Sequence, residues 1–150
     1  MIQHQLAEIK VSYTPHQFVS KIQITHSQDA HKVLRELWDK EMIAYKEQFY
    51  VLLLNNANSI LGYNHLATGG SCGVIADVKQ IIQLALTTNA QGLLLAHNHP
   101  SGNKKASRQD IELTNKVKQA CVFHEIQLLD HLILMPTGDE YVSMADEGLL

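Results

Sequence analysis

Apolar and polar positions change period along the chain, and those changes mark out its elements. From Ala7 to Tyr13, Ile9 and Val11 alternate with Glu8, Lys10 and Ser12, which predicts a strand ended by Thr14-Pro15. Ala30, Val33, Leu34, Leu37 and Trp38 then recur at helical spacing, with Ser27 or Asp29 as the cap. This front part, residues 1–40, reads as a strand and helix packing on a core built from residues 41–150.

The run Glu47-Gln48-Phe49-Tyr50-Val51-Leu52-Leu53-Leu54 is aromatic and apolar, bounded by Asn55-Asn56, and reads as a buried strand. Ser59 to Leu66 is its hairpin partner, with the Asn-rich segment making the turn. Gly69 to Gly73 makes a loop. Val78, Ile81, Ile82, Leu84, Ala85 and Leu86 predict a helix that begins after Asp77 and closes at Asn89. Gly92 to Ala96 is a short buried strand ending at His97. Ser107 caps a second helix through Ile111, Leu113, Val117 and Ala120. Ile126 to Met135 reads as a long apolar strand interrupted by Asp130-His131, and Tyr141-Val142-Ser143 as a last short strand. The order strand, strand, helix, strand, helix, strand predicts an α/β fold, a mixed sheet with helices on both faces.

Composition narrows the function more than the fold. With 150 residues, 45% of them hydrophobic and 18% charged, the chain fits one globular domain with a sizeable core. No apolar run approaches the ~20 residues of a membrane span, and Met1-Ile2-Gln3-His4-Gln5 opens no secretory pattern, so a cytoplasmic protein is expected. The net charge of −3 speaks against non-specific nucleic-acid binding. The one dense basic spot, Lys104-Lys105 with Arg108, is too small for a DNA footprint. Cys72 and Cys121 are in no metal or redox spacing and read as ordinary thiols. Of nine histidines, His4, His16, His26, His31, His65 and His124 stand alone and read as surface or satisfied residues.

His97 and His99 differ from those six. They end an apolar strand two residues apart, so an extended chain turns both rings to one side, and Pro100 biases the preceding residue toward extended angles. A Pro-Ser-Gly turn and a short loop then lead to Ser107-x-x-Asp110 at a helix start, close enough to return the Asp110 carboxylate to the histidines. Taken alone, Ser107-x-x-Asp110 is a capping box. Together with His-x-His it gives two imidazoles and a carboxylate, a set that leaves a zinc ion one open position for water. A two-histidine, one-carboxylate iron site uses the same ligand types, so the ion stays open at this point.

Other motifs fail on their spacing. His97-Asn98-His99 is not the signature of the nucleases named by those letters, whose three residues are spread along a ββα unit. His124-Glu125 lacks the second histidine of a zinc-protease helix, since Leu128 occupies its place. The histidine-glutamate and Pro-Cys-x-x-Cys pieces of a deaminase are absent.

His97-x-His99, seven residues, then Ser107-x-x-Asp110 resembles the JAMM motif of MPN-type zinc metalloproteases, which include deubiquitinating isopeptidases. The fuller string His97-Asn98-His99-Pro100-Ser101-Gly102, with Asn89-Ala90 upstream and Leu129-Asp130-His131 downstream, is similar to the bacterial RadC branch. The resemblance spans roughly Glu41 to the C-terminus. It implies the α-β-α architecture of the MPN/JAMM (cytidine-deaminase-like) kind, with Zn2+ held by His97, His99 and Asp110. It also implies that Ser107 stabilises the oxyanion and that Glu47, ahead of the first core strand, moves the proton of the attacking water. From the residues alone, Glu47 is a strand-entry carboxylate.

Two departures stand out. Full-length RadC proteins usually carry an N-terminal helix-hairpin-helix region, in place of which this chain shows a short front segment. Ala106 stands where relatives often have proline, which is expected to loosen the loop before Ser107. Asp130-His131 reads first as a buried hydrogen-bonded pair and second as support that orients a ligand. The leading expectation is a zinc hydrolase acting on a peptide or isopeptide amide. The alternative is a DNA-transaction accessory or nucleic-acid-binding module with a vestigial metal site. The sequence leaves the oligomeric state open.

Overall fold

The computed structural model describes residues 6–15, 22–70 and 75–150. Within them the chain runs α1 (Ser27–Leu37), β1 (Gln48–Leu54), β2 (Ile60–Thr68), α2 (Val78–Thr87), β3 (Gly92–Asn98), α3 (Arg108–Phe123), β4 (Gln127–Leu134) and β5 (Tyr141–Ser143). Five strands form one sheet in the order β2-β1-β3-β4-β5. Only β3 and β4 are parallel, joined by the α3 crossover, while the other neighbours are antiparallel. The result is an α/β fold with a mixed sheet and helices on both faces.

Why β1 and β3 show no polar alternation follows from this layering. Both are central and buried along their whole length, because helices cover each face of the sheet. On one side Phe49, Val51, Leu53, Leu93 and Leu95 pack against Ile81, Ile82 and Ala85 of α2 and Val117 and Cys121 of α3. The alternate residues Tyr50, Leu52, Leu54, Leu94, Ala96, Leu132 and Leu134 meet Ala30 and Leu34 of α1, together with Trp38 and Ile43. The front helix is thus built into the second core layer. Burial pushes the Cys121 thiol up to about 11, in keeping with an ordinary unreactive thiol.

Two local expectations change. Residues 6–15 form no strand: Ile9 is 88% and Val11 69% exposed, so the alternation has no apolar surface to cover. The Tyr13 hydroxyl donates to the Leu61 carbonyl and ties this segment to β2. At the start of α1, the N-cap is His26 rather than Ser27 or Asp29. Asp29 instead accepts the backbone N–H groups of Thr25 and His26, each at 3.0 Å. Asp77 does cap α2, accepting from Lys79 N at 2.9 Å. His4, His16, Cys72 and most of the expected Gly69 to Gly73 loop lie outside the described residues. No described helix is long and apolar enough to cross a membrane.

Candidate metal centre

The site forms where β3 ends and α3 begins, at the carboxyl end of a parallel strand, where α/β sheets bind ligands. The extended conformation persists past the last assigned strand residue, because His99 N donates to the Leu134 carbonyl at 3.0 Å. Strand alternation therefore turns both His97 and His99 toward α3. Both rings are buried, and the His97 ring stacks on Phe49 with centroids 6.2 Å apart. Gly102 then adopts a left-handed φ of 78° and its N–H donates back to His99 O at 2.9 Å. That turn brings the Asn103 carbonyl to 2.7 Å from His99 Nδ1. A carbonyl only accepts, so Nδ1 carries a proton, and whenever the ring is neutral its Nε2 lone pair faces the site.

Asp110 plays two parts. Its N–H donates to Ser107 Oγ at 3.0 Å and its Oδ2 accepts from Ser107 N at 2.8 Å, closing a full capping box. The same carboxylate lies with Oδ1 3.2 Å from His97 Nε2 and Oδ2 3.3 Å from His99 Nε2. The capping box thus starts the helix and, in doing so, aims the carboxylate at the two imidazoles.

The chemistry of this donor set fits a cation. The two Nε2 atoms are 3.0 Å apart, and each meets a carboxylate oxygen. In the metal-free site any protonated Nε2 donates to the carboxylate; with each ring's proton on Nδ1, the two Nε2 atoms and the carboxylate present lone pairs that a cation would join. Donor atoms at about 2.0–2.1 Å around a tetrahedral zinc are about 3.3 Å apart, close to the distances found here. Burial opposes ionisation of Asp110, yet hydrogen bonds from His97 and His99 hold its carboxyl well below the usual range. His99 is raised despite its burial, through the Asp110 bond, the Asn103 carbonyl and the charges of Asp110 and Glu47. The pocket is electrostatically prepared for positive charge.

Beside it opens a cleft of about 350 Å3 lined by Glu47, His99, Lys105, Ser107 and Arg108 among others. Glu47 is half-buried at its wall, one residue ahead of β1. A neighbour fixes its backbone: Asn98 Oδ1 accepts from Gln48 N at 2.7 Å, while Asn98 Nδ2 donates to the carbonyls of Ile43 at 2.7 Å and Lys46 at 2.9 Å. Thus the residue between the two histidines points to the opposite face and clamps the segment that carries Glu47. Ala106, expected to loosen the loop, is buried with Ile133, Met135 and Met144 and anchors it. The basic spot is partly paired, Lys104 with Glu140 at 3.0 Å and Arg108 with Glu112 at 2.8 Å.

Asp130 and His131 are not a side-chain pair. They alternate across β4, so Asp130 turns toward the α1 side and accepts from His131 N, Ser143 Oγ and Ala145 N. His131 turns toward α3, with Nε2 2.7 Å from His97 Nδ1 and Nδ1 2.6 Å from Thr114 Oγ1. Burial and the neighbouring His97 hold the His131 pKa well below its ordinary value. Asn98 and Thr114 escaped the sequence reading, since a strand asparagine and a helix threonine carry no spacing signal.

Comparison with known proteins agrees with this geometry. The family model described as "RadC-like JAB domain" matches residues 24–149. A UPF0758 protein of Flavobacterium johnsoniae is 39% identical over 126 residues, 84% of this chain and 53% of that one. Another from Porphyromonas gingivalis is 44% identical over 105 residues, 70% of this chain and 46% of that one. A third, from Coprothermobacter proteolyticus, is 34% identical over 144 residues, 95% of this chain and 60% of that one. The chain thus spans about half the length of the curated relatives it matches, and their name assigns no activity. The family match begins ahead of α1 and ends one residue before Leu150, so it takes in both core layers and His97, His99 and Asp110. By this match, the chain belongs to the RadC-like JAB domain family.

Proposed function

We propose that this domain is a zinc-dependent hydrolase of the JAMM type that cleaves a peptide or isopeptide amide. The observation that carries the reading is the convergence of His97 Nε2, His99 Nε2 and the Asp110 carboxylate, with the two nitrogens 3.0 Å apart and each 3.2–3.3 Å from a carboxylate oxygen. These residues would hold the ion. When bound, zinc supplies Lewis acidity that activates water and polarises the amide carbonyl.

The remaining steps belong to the protein. The Glu47 carboxylate, on the wall of the same cleft as His99, takes the proton of the attacking water and returns it to the leaving amine nitrogen. Ser107 Oγ accepts from Asp110 N, an arrangement that leaves its O–H to be donated toward the developing oxyanion. The cleft beside the ligands gives an extended peptide a place to lie. A DNA role gains no support from charge, because Lys104 and Arg108 already face acidic partners.

Metal analysis of the purified chain, followed by assay of wild type and Glu47→Gln on peptides, isopeptides and DNA, tests the reading. Near-stoichiometric zinc is expected, with turnover of one amide class that falls about a hundredfold or more in Glu47→Gln while zinc is retained. Absence of metal, or amide turnover indifferent to Glu47, overturns it. Salt-dependent DNA binding unchanged by Glu47→Gln would point to the accessory role instead.

A further inference from the structure

We propose that His131 and Thr114 form a positioning relay that fixes the tautomer of His97 and so readies its Nε2 to ligate. The inference rests on reading His97, His99 and Asp110 as a metal centre. The two histidine ligands solve the same problem differently. His99 has a backbone carbonyl at Nδ1, which fixes its proton outright. His97 faces the core, and its Nδ1 meets another imidazole, His131 Nε2, at 2.7 Å. An imidazole partner either donates or accepts, so by itself it fixes nothing.

The polarity is set two groups further on. Thr114 Oγ1 lies 2.6 Å from the Asp110 carbonyl, one turn back in α3, and 2.6 Å from His131 Nδ1. The carbonyl only accepts, so the single hydroxyl proton of Thr114 goes to it. Met144 Sδ, at 3.6 Å, is a far weaker acceptor and would leave two oxygens in lone-pair contact. With its proton spent, the threonine oxygen accepts from His131 Nδ1–H. The His131 ring, with no exposed surface, carries one proton, so its Nε2 is a lone pair that accepts from His97 Nδ1–H. His97 Nε2 is then left unprotonated, 3.2 Å from Asp110 Oδ1.

The relay starts at one ligand and ends on the main chain of another, since its last acceptor is the Asp110 carbonyl. Hydrogen-bond partners of this kind orient a ligand ring and raise its basicity, and their loss typically weakens metal binding about 10–100-fold. Thr114 is buried and does not itself line the cleft, so it is a positioning residue and not a catalytic one.

Two measurements on the full chain test the relay. Zinc affinity is read by competition with a chromophoric chelator in wild type, Thr114→Val and Thr114→Ser. Histidine tautomers are read from 15N–1H imidazole correlations of the metal-free protein. Wild type should show His97 and His131 both as Nδ1–H. Thr114→Val, isosteric but without the hydroxyl, should weaken zinc binding about 10–100-fold and move His131 away from that form, while Thr114→Ser restores both. A wild-type His131 protonated at Nε2, or equal zinc affinity in Thr114→Val, overturns the relay. Should Thr114→Val fail to fold, the wild-type tautomers decide alone. A wild type that binds no zinc while showing the expected tautomers would refute the metal centre and leave the relay standing.

Discussion

Buried polar side chains a residue apart on opposite faces of the sheet are treated in opposite ways, and the contrast is sharpest at the consecutive residues His97, Asn98 and His99. Asn98 points to the α1 side and has every strong hydrogen-bonding need met by backbone: one N–H in, two carbonyls out. Asp130 on the same side is likewise occupied by two backbone N–H groups and the Ser143 hydroxyl. His97 and His99, on the α3 side, aim their Nε2 atoms at each other and at a carboxylate. A cavity of about 340 Å3 lies beside Asp130 too, so empty space does not separate the faces. What separates Asn98 and Asp130 from His97 and His99 is whether backbone and hydroxyl groups complete their hydrogen bonds. At Asn98 and Asp130 they do, and those groups are structural; at His97 and His99 the Nε2 atoms converge on a carboxylate, and on the proposed reading a cation completes the set.

The largest expected effect breaks or sustains that distinction directly. Zinc at a thousandfold over its dissociation constant should stabilise wild type against denaturant by about 4 kcal/mol. Asp110→Asn keeps an oxygen for the Ser107 N–H but loses the charge, and should lose nearly all of that gain. Asn98→Ala should do the reverse. It strands one buried N–H and two carbonyls, costing about 3 kcal/mol with or without zinc, and leaves the zinc-linked increment in place. Urea unfolding of the three proteins with zinc and with chelator measures both quantities. If Asn98→Ala loses the increment, or Asp110→Asn retains it, the two sets of buried polar groups are not distinct in kind.

The same contrast explains what the sequence disclosed. His97, His99 and Asp110 were legible because their placement is local: strand alternation aligns the rings, and a capping box aims the carboxylate. The periods of Val78 to Leu86 and of Ile111 to Ala120 are likewise written in neighbouring residues, and α2 and α3 follow them. Asn98 escaped because its partners Ile43, Lys46 and Gln48 lie 50 or more residues away and are brought near only by the pairing of β1 with β3. Thr114 and His131 meet across 17 residues through the α3 crossover. The front alternation misled for a related reason: Ile9 and Val11 have the pattern of a strand, and only the assembled fold shows that no apolar surface faces them.

The smallest expected effect concerns a histidine on the α1 side. His31 of α1 is buried, accepts from Arg35 Nε at 3.2 Å and stacks on Tyr141 with centroids 4.3 Å apart. Burial, with the Arg35 charge adding to it and Asp139 opposing, lowers its pKa below the ordinary value of 6.5. In the unfolded chain the ring takes a proton at the ordinary pH, so between that pH and the lowered folded value the unfolded state binds more protons. The stability due to neutral His31 is therefore complete above about pH 6.5 and is lost as pH falls toward the folded pKa. In His31→Gln the amide oxygen still accepts from Arg35 and does not titrate. Stability measured from pH 7.5 down to 5.5, with chelator present throughout, should fall less steeply in that variant than in wild type. Equal slopes would mean that the fold tolerates a charged His31 beside Arg35 and Tyr141.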